Sequence, residues 1–264
     1  MSRLRQVKWM QKEVMRIAVR RRPSMFFILP SFTILLIYVL AAVLPAVYLM
    51  RYIYNMDTYE KEPADLLISL VFMGVLAALA SIVLEMAGQF LLSLTKISSS
   101  SPVYTIITAF LVVAVVEEGM KFLFLYLRSW RDPNFNYRFD GIVYSAFVSL
   151  GFAAFENIKY VFGYGLSVAF PRAILAIPGH LGFAVVFGFF YGRAKLAEDM
   201  GRPGKKAANL IAGYLAAVCL HGFYDSCAMI GNVLSTVLFV AFVIFMYFFV
   251  FRLVRKEAGT DAPI

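Results

Sequence analysis

The sequence predicts an all-α, multi-pass integral membrane bundle of six to eight transmembrane helices with both termini cytoplasmic. Three observations predict it. Of 264 residues, 61% are hydrophobic and only 16% charged, and the mean hydropathy is +0.77, far too apolar for a water-soluble domain of this size. The apolar residues come in runs of ~20 or more, the length that carries a helix across a ~30 Å hydrocarbon core. Basic residues gather between those runs, as they do on cytoplasmic loops. The net charge of +9 therefore reports topology and lipid contact, and no nucleic-acid partner is expected.

Residues 1–25 interleave Arg3, Arg5, Lys8, Lys12, Arg16, Arg20, Arg21 and Arg22 with Val7, Trp9, Met10, Val14, Met15 and Ile17, a pattern that predicts a basic amphipathic helix on the membrane surface. Apolar segments succeed it at 26–50, 64–94, 102–128, 141–162, 172–192, 207–231 and 232–251. Turn formers and charges separate them at 58–63, 98–102, 131–138, 163–165 and 198–206. Basic clusters at the N-terminus, 128–138, 192–206 and 252–256 all belong in the cytoplasm. Seven simple crossings cannot place them there together. The segment 64–94, which carries Gly74, Glu85 and Gly88, is therefore expected to enter and leave on one face, as a re-entrant segment or two short paired helices. Cys219 and Cys227 would lie ~12 Å apart along one helix, beyond disulfide reach.

Ionisable residues inside apolar segments are the chemical signal. Glu117, Glu118, Lys121, Glu156, His221 and Asp225, with Glu85, His180 and Lys159, would each cost ~2.5–3.5 kcal/mol or more at a helix centre, so a site is the default reading. In EEGMK (117–121), Lys121 lies three and four residues from the two carboxylates, so an ammonium can hold one ionised while its neighbour serves as a base. An ion pair that merely pins helices is the bland reading of the same motif. Glu156 can bind a water or an imidazole. Asn157 can hydrogen-bond a carbonyl, and interhelical bonding explains it equally well. His221 and Asp225, four apart, share a helix face, so Asp225 can orient the imidazole. His180 comes just after Pro178-Gly179 at a helix start, where a histidine is often structural. Taking 1.5 Å per residue, Glu117, Glu156, His180 and His221 fall at overlapping depths between the middle and the outer half of the core, so the groups can meet in one cavity opening outward.

EEGMK (117–121), DGIVYSAFVSLGFAAFEN (140–157) and HGFYD (221–225), in this order and in this apolar setting, resemble the PrsW intramembrane proteases, relatives of the CAAX prenyl endopeptidases and bacteriocin-processing enzymes. The resemblance covers roughly residues 103–230. It implies a helical membrane peptidase of the cell inner membrane whose best-known relatives make the first cut in a membrane-anchored, single-span anti-sigma factor. It also implies Glu117, Glu118, His180 and His221 as catalytic residues, with Lys121, Asp140, Glu156, Asn157 and Asp225 in support. The cofactor it implies is either none or one Zn²⁺, for which Glu118, Glu156, His180 and His221 are the candidate ligands. H-E-x-x-H is missing and no thiolate is placed as in a zinc site, so metal-free glutamate catalysis is favoured. The expected organisation is a surface helix at 1–25, a first span with the re-entrant or paired helices at 26–101, a catalytic membrane core at 102–254 and a cytoplasmic tail at 255–264. Partners are the protein substrate and the lipid bilayer. Two other readings use the same residues, a proton-coupled transporter and a non-catalytic membrane scaffold. The contiguous carboxylate pair and the lack of a visible internal repeat speak against the transporter.

Overall fold

Backbone in hydrocarbon must satisfy its own hydrogen bonds, which leaves an apolar chain little besides the helix. The computed structural model describes residues 25–264, with side chains from Phe32 onward; the amphipathic helix expected over 1–25 lies outside the described residues. Two units are distinguished, ending and beginning at Leu40 and Ala41. Helix α1 (Met25–Met56) supplies the described part of the first, a rod that exposes Phe32, Ile34, Leu35, Leu36 and Ile37.

The second unit holds the end of α1 and, in order, α2 (Ala64–Ser93), α3 (Pro102–Ile107), a π-helical segment (Thr108–Ala114), α4 (Val115–Ser129), α5 (Asp140–Tyr164), a 3₁₀ turn (Leu166–Val168), α6 (Ala169–Ile174), α7 (Ala176–Asp199), α8 (Pro203–Ile230) and α9 (Val233–Gly259). Because α3, the π segment and α4 are continuous, and the 3₁₀ turn runs through α6 into α7, the described residues form seven long rods. Six of these are long and apolar enough to cross a membrane. The seventh, 102–129, carries Glu117, Glu118 and Lys121. The chain is a multi-pass helical membrane protein.

Segment 64–94 departs from expectation. It is one unbroken helix of 30 residues, ~45 Å long, and neither re-entrant nor paired. Gly74 does not break it, because the glycine serves packing. A methyl group there would overlap the Val148 carbonyl on α5, and one at Gly151 of α5 would overlap the Val71 carbonyl on α2. Both glycines let the two backbones touch. Helix α5 is consequently the buried axis of the second unit, with Ile142 through Ala153 all inside.

Hydrogen bonds identify which connections share an end. Tyr144 Oη lies within hydrogen-bond reach of Glu62 Oε2, at 2.8 Å, and of the Asn134 carbonyl oxygen, at 2.9 Å. Lys195 Nζ donates to the Trp130 carbonyl at 2.9 Å. The last residues lie along the 136–139 stretch: Arg138 N donates to the Ala262 carbonyl, Ile264 N to the Asn136 carbonyl and Phe139 N to Asp261 Oδ1. The basic stretches 128–138, 192–206 and 252–256 thus gather at one end, with the α1–α2 turn. Helix α9 continues to Gly259, into the segment expected as the cytoplasmic tail.

Buried carboxyls mark this basic end. Burial pushes Glu62 up to about 7, although the Tyr144 hydroxyl lowers it, and pushes Asp57 up to about 6 against the nearby Lys61. A carboxyl raised in the folded state is most stabilising when protonated. For Glu62 that contribution is complete below its ordinary 4.5 and is lost as pH rises through about 7. The melting temperature of the detergent-solubilised protein should therefore fall between pH about 5 and about 8, and Glu62→Gln should flatten that fall by several degrees. Parallel melting curves for the two proteins across the range would refute this.

Candidate active site

The rod 102–129 begins with Ser101, whose hydroxyl caps the Tyr104 amide, and with Pro102 at the first helical position. Its π segment ends at Ala114, and such segments add a residue to a helical turn and so rotate the turns beyond them. Tyr214 Oη of α8 donates to the Val115 carbonyl at 2.9 Å just past it. A methyl group at Gly222 of α8 would run into the Phe110 ring of the π segment. That missing side chain lets α8 lie against the widened turn, with His221 facing Glu118.

Adjacent helical residues point ~100° apart, and this separates the two glutamates. Glu117 lines a cavity of about 580 Å³ together with Glu85, Glu156, Lys159, Arg172, His180, His221 and Asp225. Glu118 instead lines a separate small hollow with Lys121, Ser145 and Ser149. Lys121 reaches both, at 3.2 Å from Glu117 Oε2 and 2.8 Å from Glu118 Oε1. Its Nζ also lies 3.1 Å from His180 Nδ1 on α7 and 4.1 Å from the centre of the Phe152 ring. Glu117, Glu118, Lys121, His180 and His221 are all between 3% and 5% exposed.

The two histidines sit differently. An ammonium donating to His180 Nδ1 leaves the ring hydrogen on Nε2, which lies 3.2 Å from Glu156 Oε2. Both nitrogens of His180 are thus engaged. His221 Nδ1 is 2.8 Å from Glu118 Oε1, and Nε2 is 3.4 Å from Asp225 Oδ2 and 4.0 Å from Glu117 Oε2. Its ring stacks on Phe183 with centroids 4.9 Å apart. The expected His221–Asp225 pairing is present, and Glu118 takes the other ring nitrogen.

Other expected residues fall in several places. Glu156 meets an imidazole, as anticipated, and also Arg172, whose Nη2 lies 2.7 Å from the same oxygen. Asn157 accepts from Arg172 Nε at 2.8 Å and donates to the Ala42 carbonyl at 2.8 Å. With its amide so engaged, Asn157 ties helices, and it is not among the residues that line the cavity. Asp140 is far from the cavity, at the basic end, where its Oδ2 accepts from the Asn136 and Tyr137 amides at 3.0 and 2.7 Å. Arg172 is the residue that sequence reasoning misses. Its signal is a guanidinium in an otherwise apolar stretch, FPRAIL.

The candidate zinc ligands are not gathered as a set. Donor atoms of Glu117, Glu118 and His180 do lie within 4.8 Å of one another. Zinc bonds to such donors at ~2.0–2.2 Å, and the space among them holds the Lys121 ammonium. Glu156 meanwhile faces a guanidinium. As folded, the residues do not fit a metal ion.

Residues 62–253 match a family described as PrsW family intramembrane metalloprotease. Among curated proteins, the chain is similar to "Protease PrsW" of Geobacillus kaustophilus (strain HTA426), 37% identical over 70% of this chain and 76% of the relative. The protein of that name from Bacillus subtilis (strain 168) is 31% identical over 84% of this chain and 95% of the relative. The one from Clostridioides difficile (strain 630) is 31% identical over 79% and 86%. No solved structure matches.

Removing one partner of a buried ion pair leaves the other charge uncompensated. Arg172→Met should lower stability by about 3 kcal/mol, near the lower end of the range for such pairs because this one borders the cavity. Arg172→Lys, which keeps a charge but loses the fork that reaches both Glu156 and Asn157, should fall between. Thermal melting in detergent reads this order, and a Met variant as stable as wild type would contradict it.

Proposed function

The chain belongs to the PrsW family of intramembrane proteases, and we propose that it is an endopeptidase of the cell inner membrane in which Glu117 activates the attacking water. The observation that carries this reading is the meeting of Glu117, His180, His221 and Asp225, from three rods, around one cavity large enough for water and an unwound peptide. Of the two glutamates, Glu117 borders that space, while Glu118 is tied to Lys121 and His221 behind it.

The chemistry rests on those positions. Water in the cavity gives a proton to Glu117 as its oxygen attacks the scissile carbonyl carbon. The carbonyl oxygen becomes an oxyanion, and the His221 ring, whose Nε2 lies 4.0 Å from Glu117 Oε2, stabilises it. Collapse breaks the C–N bond, and Glu117 returns its proton to the leaving amine. Helical substrate backbone is shielded by its own hydrogen bonds, so the cut falls where a membrane-anchored substrate is unwound. By the positive-inside rule the basic end of the bundle faces the cytoplasm. Glu85, Lys159, Pro171, Arg172 and Met229, which border the cavity, lie towards the opposite ends of their rods. Cleavage is then extracytoplasmic, and the substrate is a single-span anti-sigma factor.

The two glutamates should fail in different ways. In cells expressing a single-span anti-sigma factor with tags at both ends, Glu117→Gln should abolish the cleaved fragment while the enzyme melts within a few degrees of wild type. Glu118→Gln should lose activity and also melt markedly lower, because Lys121 loses a buried counter-charge and His221 loses its carboxylate partner. Fragment made at wild-type rate by the Glu117 variant would reject Glu117 as the base.

A further inference from the structure

Three donors converge on the Lys121 ammonium, Glu117 Oε2, Glu118 Oε1 and His180 Nδ1, and these three residues are the trio among the described residues that comes nearest to a metal site. The centre of the trio is filled. A lysine ammonium has three hydrogens to donate, and Lys121 Nζ has three acceptors there, at 3.2, 2.8 and 3.1 Å. The Phe152 ring covers the ammonium at 4.1 Å. The side chain is buried, so water offers no alternative partner, and its reach is fixed because it leaves the same helix as both glutamates. A divalent ion at that centre would meet a positive charge at contact distance and would find the Nδ1 lone pair already used.

We infer that Lys121 is the resident cation of this site: its ammonium stands where the trio would otherwise hold a divalent metal, and removing it turns the trio into a zinc site. Lys121 acts as a positioning residue. It neutralises Glu118, keeps Glu117 turned towards the cavity and holds His180 in the tautomer that donates to Glu156. With the ammonium gone, two carboxylate oxygens and an imidazole nitrogen face a common vacancy, the donor types that bind Zn²⁺. This bears on the same site as the proposed proteolysis and rests on that reading only for the activity measurement; metal content is read without a substrate.

The test uses the full chain, purified in detergent after growth with added zinc and passed through gel filtration without chelator. Zinc per polypeptide is measured by plasma mass spectrometry for wild type, Lys121→Ala and Lys121→Arg. Wild type and Lys121→Arg should carry a small fraction of an equivalent, and Lys121→Ala should approach one. Cobalt added to Lys121→Ala should give the visible absorption of a low-symmetry protein site, and cobalt added to wild type should not. A merely structural lysine would move melting temperature without creating that absorption. About one zinc per wild-type chain, lost with a chelator, overturns the inference. So does a folded Lys121→Ala that takes up no more zinc or cobalt than wild type. Should Lys121→Ala fail to fold, Lys121→Met, which keeps the apolar stem and loses the ammonium, takes its place with the same zinc and cobalt readings. A metal-free wild type that cleaves no substrate would count against the proteolysis reading and leave this one standing.

Discussion

Charges buried in a membrane protein must find opposite charges, because neither lipid nor water is there to accept them. The rest of this structure depends on that constraint. Lys121 of α4 reaches His180 of α7, Glu118 of α4 meets His221 of α8, and Glu156 of α5 meets both His180 of α7 and Arg172 of α6. Each contact crosses from one rod to another. The network therefore does for these rods what a hydrophobic core does for a soluble domain: it selects one arrangement among many that would pack equally well in lipid. The apolar faces cannot make that selection, since a leucine is as comfortable against an acyl chain as against another helix. The small residues at Gly74, Gly151 and Gly222 then let the rods approach closely enough for the charges to meet.

A network that only held helices together would have no reason to leave a carboxylate facing an open space. Here it does, and the cause is local. Two consecutive glutamates on a helix cannot face the same way, and with Lys121 able to reach both, one is drawn into the interior while the other keeps an oxygen towards the cavity. The π segment just upstream sets the rotation of that stretch, and the Tyr214 hydroxyl and Phe110 ring hold the segment against α8. Shifting the helical register by one residue would bring Glu118 to the place that Glu117 now holds. The identity of the cavity-facing glutamate is thus a property of backbone geometry as much as of sequence.

Legibility in the chain depends on the distance over which each contact acts. The helical bundle, the Glu117–Glu118–Lys121 cluster and the His221–Asp225 pair are legible because they rest on composition or on spacings of three and four residues. The contacts of Lys121 with His180, Glu118 with His221 and Arg172 with Glu156 are not, since they depend on which rods are neighbours and at what depth. Charge counting goes astray at 64–94 for a related reason: it sees glycines in a segment that must break, when Gly74 is a packing surface. Asp140 shows the converse hazard. It stands within a recognisable motif, yet its carboxylate holds the turn before its own helix.

The two ends of the bundle are built for different tasks. At the basic end the 260–264 tail lies along the 136–139 stretch through backbone bonds, Tyr144 joins the α1–α2 turn to the Asn134 loop, and Lys195 closes on Trp130. At the other end the rods part around the cavity, whose border carries Lys159, Pro171 and Arg172. A hydrolase inside a membrane needs water at one place and must deny a path across the bilayer, since a continuous aqueous column would leak ions. A polar hollow entered from one end, closed below by Lys121 and its acceptors and then by a packed layer of Phe122, Phe187 and Tyr191, meets both needs. The ion network is in this sense the floor of the cavity: it supplies the polar surface that draws water in and the occupied hydrogen bonds that stop it going further.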